Sequence, residues 1–201
     1  MPPAPSAETA LALVEAHLLT VLGQDSGRAG VTFLGAGRVD VLRFGPDPAG
    51  LVRYVTVGMA REPMTSAASA VVDPGGPRAE LVLSLHGLHD QVLRPLAALA
   101  SSPAVEGVVI SPGASLDVGE PLWPGARQTA VLVAEPGGLV PDLELGDGFS
   151  DAAPVQFLPL LPLLPEEAAY KRIHGAAALQ ERWLAAGTDL RDTNRRPVRL
   201  L

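Results

Sequence analysis

A chain of 201 residues, 47% hydrophobic and 18% charged, is long enough to close one well-packed core and has the composition of a globular protein. Its formal net charge of -7 repels a phosphate backbone, and 4% aromatic residues leave few platforms for stacking bases, so nucleic acid is not the expected partner. The absence of cysteine excludes disulfides, thiolate catalysis and cysteine-held zinc together.

No cationic residue precedes the first apolar stretch, and Glu15 and His17 interrupt that stretch, so a secretory leader is not expected. No run reaches the roughly 18 apolar residues that a spanning helix needs. The expectation is a cytoplasmic protein without a membrane partner. Lys171 is the single lysine among 15 basic residues, a bias that, with 21 Gly and 20 Pro, points to a GC-rich bacterial genome.

In chain order, Ser6 is a candidate N-cap with Glu8 in the first turn, where the helix dipole favours an anion. Leu11, Val14, Leu18 and Leu22 recur at helical spacing and predict a helix over Ala7 to Leu22, stopped by Gly23. Gln24 to Gly30 reads as a polar loop, and Val31 to Gly37 is ambiguous. Arg38 to Phe44 and Leu51 to Val57 read as an antiparallel pair across the Gly45 to Gly50 turn. A surface loop is expected over Glu62 to Pro77.

Arg78 to Leu85 alternates as a strand, with Leu81, Leu83 and Leu85 on one face and Glu80, Val82 and Ser84 on the other. Leu88 to Ser101 reads as a helix disturbed at Pro95. Val105 to Ile110 is a strand candidate. Ser111 to Gly125 is an ordered loop anchored by Leu122 and Trp123, and Gln128 to Ala134 and Val155 to Leu160 are strands. A last helix starts after Pro165, with Glu166 and Glu167 in its first turn, pauses near Gly175 and ends at Gly187. Residues 191–201 read as a flexible tail beyond a domain spanning 1–190.

Candidate chemistry is sparse. Gly35-Ala36-Gly37 lacks the third glycine of a dinucleotide loop, and a strand follows where the phosphate-binding helix would begin. No Gly-x-Ser-x-Gly elbow occurs. His86, His89 and Asp90 are close in sequence and would be the ligands of a metal-dependent hydrolase, although such a site needs further donors. Adjacent Glu166 and Glu167 point in different directions on a helix and suit capping better than paired acid catalysis. Glu80, inside an apolar strand, must face water or meet a partner group. Tyr54 offers an apolar body with a polar tip, a combination that interfaces favour.

Four segments in this order resemble the Suppressor-of-fused domain family: Tyr54 to Met59, Arg78 to Leu85, Gln128 to Pro136, and Val155 to Pro159 running into Glu167. The resemblance implies a single α+β domain whose central sheet, mixed or mostly antiparallel, is packed with helices. It also implies binding of a protein, a toxin domain or an extended peptide, without enzymatic activity or cofactor. Animal members clamp a transcription-factor peptide between two domains, and this chain is similar to the first domain only. Bacterial relatives of similar length have been proposed as immunity proteins of toxin systems. Tyr54, Met59, Arg61 and Glu80, on or beside the two best-matching strands, are the residues expected at a recognition surface. The alternatives are the hydrolase above and a structural or scaffolding subunit.

Overall fold

The first element, α1 (Ala7–Leu22), opens where the Ser6 hydroxyl accepts the Thr9 backbone N–H at 3.2 Å, and it closes at Gly23, whose φ is 86°. It buries Ala10, Val14 and Leu18. The computed structural model describes residues 6–69, 71–146, 148–149 and 151–200. It comprises α1, β1 (Gly27–Phe33), β2 (Gly37–Phe44), β3 (Leu51–Val57), β4 (Arg78–His86), α2 (Leu93–Glu106), β5 (Ser115–Asp117), β6 (Ala130–Val133), β7 (Val155–Leu163) and α3 (Pro165–Ala185). Two short 3-10 helices, Met59–Arg61 and Asp90–Val92, join them.

The strands form one sheet in the order β1-β2-β3-β4-β7-β6-β5. Only β4 and β7 run parallel; every other neighbouring pair is antiparallel. One face packs Tyr54, Leu81, Leu83 and Leu85 with α2 and the Leu122–Trp123 anchor. The opposite face packs Leu42, Val55, Val82 and Phe157 with α1. A smaller cluster joins Leu132 and Leu163 to Leu179 and Trp183 of α3. Because layers cover both faces, β3 and β4 are buried almost throughout, and the expected two-faced alternation of β4 separates two cores instead of core from solvent.

Several local expectations change, and the expected loop from Ser111 to Gly125 contains β5, paired with β6. Gln24 to Gly30 is not all loop, because β1 begins at Gly27 and pairs along its whole length with β2, from Gly27 opposite Arg43 to Phe33 opposite Gly37. Its glycines and alanine carry little strand preference; the ladder to β2 sets the conformation. Val105 to Ile110 is not a strand: α2 runs on to Glu106 and stops at Gly107, whose φ of 64° is the left-handed cap. Pro95 produces no kink, since it is the third residue of α2, where no intrahelical donor is lost.

β7 carries Pro159 and Pro162 in the middle of the sheet, normally an unfavourable place. Its two halves pair different strands. Val155 to Leu160 lies against β4, and Leu160 to Leu163 against β6. The pairing of β7 with β4 stops at Leu160, and beyond it the Pro162 carbonyl accepts from the Arg195 guanidinium at 2.7 Å. The segment expected to be a free tail is therefore fastened at Arg195. That side chain also donates to both oxygens of the buried Glu167 carboxylate at 2.6 Å each. Glu167 accepts as well from the Leu164 N–H at 3.1 Å, which is its capping role, and from Trp183 Nε1 at 3.1 Å. Burial pushes the Glu167 carboxyl up, but Arg195, Trp183 and the Leu164 N–H together hold it below the usual carboxylate range.

A candidate binding crevice

At the end of the sheet where the β1–β2 hairpin turns, a crevice of about 910 Å³ opens to solvent. Glu8, Leu11 and Glu15 of α1 form one wall. The hairpin tip from Gly35 to Val39 and the C-terminal end of α2, at Pro103 and Gly107, form the others. Met59 and Met64 lie at its base, nearly buried, and are the only methionines after Met1.

The base is a backbone turn held by charge. Gly58 has φ 152°, and a Cβ there would come within 2.9 Å of the Val39 Cα, so glycine lets the turn close against β2. Directly beneath, Glu80 has no exposed surface. Its Oε1 accepts the N–H groups of Gly58 at 2.8 Å and Ala60 at 3.0 Å. Its Oε2 accepts the Thr56 hydroxyl at 2.6 Å and, more weakly, the Met59 N–H at 3.4 Å. Two residues earlier on the same strand, the Arg78 guanidinium donates to the carbonyls of Ala60 at 2.8 Å and Arg61 at 3.1 Å. A carboxylate thus meets the N–H end of the 3-10 helix Met59–Arg61, and a guanidinium meets its C=O end, the order that the peptide dipoles favour. Burial pushes the Glu80 carboxyl above its ordinary range despite these donors, and it pulls the Arg78 guanidinium down.

The four residues expected at a recognition surface divide accordingly. Met59 and Arg61 line the crevice. Glu80 supports it from below, and Tyr54 is buried in the sheet core, so these two shape the molecule where direct contact with a partner was expected. Both sit on strands covered on their two faces, which the sequence pattern did not show. The Tyr54 hydroxyl accepts the His89 N–H at 2.7 Å and donates to Asp90 at 3.3 Å, and burial pushes its pKa up. Tyr54→Phe is expected to lower stability by about 1 kcal/mol through the stranded His89 N–H, a loss that urea denaturation would measure. An unchanged midpoint would show that water replaces the hydroxyl.

His86, His89 and Asp90 do not converge. His86 Nε2 bonds Asp189 at 2.9 Å, the His89 ring packs on Trp123, and Asp90 pairs with Arg43. Arg191 holds the Asp189 carboxyl well below the usual range. Among the described residues, no group of three His, Cys, Asp or Glu side chains is arranged to hold a metal ion. Glu15 was not expected at the site, and Glu8 was read only as a helix-dipole anion.

The family model for Suppressor of fused protein (SUFU) matches residues 35–196. The chain belongs to the Suppressor of fused family. Its fold is similar to that of a Suppressor of fused homologue from Neisseria gonorrhoeae FA 1090, with a TM-score of 0.71 at 19% identity, covering 94% of this chain and 96% of that one. A chain of the Sufu-Fu complex crystal structure is similar with a TM-score of 0.63 at 11% identity, over 98% of this chain and 93% of that one. Drosophila Suppressor of Fused is similar with a TM-score of 0.63 at 12% identity, and here 94% of this chain covers 51% of that chain. No curated protein matches in sequence. The single α+β domain expected from the sequence is the Suppressor of fused fold, with a mixed seven-stranded sheet. No helix among the described residues is long and apolar enough to cross a membrane.

Proposed function

We propose that this Suppressor of fused domain is a non-enzymatic protein-binding module that works in the cytoplasm, and that its partner is a toxin domain which it neutralises as an immunity protein. The observation that carries the binding part is the similarity, over 98% of this chain, to a chain crystallised as the Sufu-Fu complex. The toxin part rests on the resemblance to bacterial relatives of similar length proposed as immunity proteins, and it is compatible with a net charge of -7 that suits a basic target. Met59 and Arg61, which line the crevice, are the expected contact residues, with Glu80 and Tyr54 acting through the surfaces they hold in place.

The test is to recover the tagged protein with whatever co-purifies and to co-express it with any toxin-like domain found there, reading host survival and the recovered complex. Survival with a stoichiometric complex supports the proposal. A toxin that kills equally with and without this chain, and no complex, sinks the immunity reading. A stoichiometric complex with an unrelated protein keeps the binding module and removes the toxin.

A further inference from the structure

Exposed apolar side chains lie at several places on the surface, and three of the most exposed, Leu34, Val71 and Val72, are at or next to residues that line the crevice. Leu34, beside the lining residue Gly35, is 99% exposed, and Val72, which lines the crevice, and its neighbour Val71 are 56% and 74% exposed. A large apolar side chain held fully in water at a hairpin tip contributes nothing to the fold, and grouped exposed apolar residues mark contact surfaces. The thioether side chains of Met59 and Met64 at the base adapt to differently shaped apolar groups.

The charges nearby are unequal. Arg38 is paired with Asp40 at 2.7 Å, and Arg61 donates to the Arg38 carbonyl at 3.2 Å. Glu15 is paired with Arg28 at 2.6 Å. Glu8 and Glu62 have no ion-pair partner among the described residues, and α1 carries no Lys or Arg at all. Arg61 has no carboxylate partner among the described residues either, so of the three lining charges without an opposite partner two are negative, on a protein that is negative overall.

We propose that the crevice binds a basic amphipathic segment of a partner protein. A large apolar side chain of that segment sits over Met59 and Met64 between Leu34 and Val72, and Lys or Arg neighbours face Glu8 and Glu62. This deepens the protein-binding reading above and rests on it. The mode is an apolar anchor in a groove with flanking charges that set orientation.

The probe is a short labelled peptide of leucine and lysine in amphipathic order, titrated into the whole protein against a leucine and glutamate counterpart. Fluorescence polarisation reads affinity, and the methionine methyl NMR signals read position. The expected result is binding of the lysine peptide only, with the Met59 and Met64 methyls shifting. Glu8→Arg combined with Glu62→Arg weakens it roughly tenfold. The pair Asp142→Arg and Glu144→Arg, which changes net charge equally outside the crevice, weakens it much less. Leu34→Ser, which removes no packing, also weakens it several-fold.

The proposal is overturned by no binding, by equal binding of the glutamate peptide, by unmoved methyls, or by equal loss in both charge-reversed pairs. A natural partner bound equally by wild type and Leu34→Ser would retain the protein-binding module and reject the crevice, so the two failures are told apart.

Discussion

Arg195→Ala is expected to destabilise the domain by about 3–5 kcal/mol, among the largest effects of a single substitution in this chain. The reason is what the truncation leaves behind. Glu167 has no exposed surface, and Arg195 supplies two of its four hydrogen bonds, both at 2.6 Å. Without the guanidinium, a buried carboxylate keeps only the Leu164 N–H and Trp183 Nε1–H. The Pro162 carbonyl loses its donor as well.

The pH dependence separates this account from simple loss of packing. In the wild type the Glu167 carboxyl lies below its ordinary value of 4.5. Its contribution to stability is then present above that pH and is lost as pH falls toward the folded value. In the variant, burial acts with little opposition and the carboxyl is raised, so protonation relieves it. The gap between wild type and Arg195→Ala should therefore narrow as pH is lowered through 4.5, the ordinary value from which the two carboxyls are shifted in opposite directions. Urea denaturation on either side of that pH measures it, and a gap that does not change with pH would contradict the charge argument. The double variant Glu167→Gln with Arg195→Met should recover much of the loss, because replacing both partners leaves no unpaired charge.

Glu80→Ala is the second large effect, with an expected cost of about 3 kcal/mol or more. It strands the Thr56 hydroxyl and the N–H groups of Gly58, Met59 and Ala60, all buried behind the base of the crevice. Glu80→Gln should cost less, about 2 kcal/mol, because its carbonyl oxygen can keep the Gly58 and Ala60 donors while its amide faces the other two. A readout beyond stability is hydrogen exchange. The Gly58 and Ala60 amides should lose protection in Glu80→Ala by more than the global loss accounts for, whereas the β6 amides should follow the global loss. Uniform loss across the sheet would show that Glu80 contributes to the core without specifically holding the turn.

Local signals in the sequence were sufficient for elements whose residues interact with near neighbours. The Ser6 cap, the apolar spacing to Leu18 and the stop at Gly23 define α1. The turn from Gly45 to Gly50 sets the β2–β3 hairpin, and Pro165, Glu166 and the Gly175 interruption mark α3. Four short segments in order were enough to place the chain in its family, because the sheet is built from them.

The rest depended on partners distant in sequence. β1 is a strand because β2 lies beside it, although its own residues favour a loop. Whether Glu80 faces water or meets a partner group stayed open in the sequence, because alternation along β4 cannot reveal that α1 and α2 cover both faces. Arg195 looked solvated because its partner Glu167 is 28 residues away and its second acceptor is 33 away. The crevice required four elements to meet at one end of the sheet. Helical periodicity, caps and turns are properties of neighbouring residues, so the sequence alone determined them. The burial of a charge and the shape of a cavity depend on which faces are covered by other elements, and only the tertiary structure decided them.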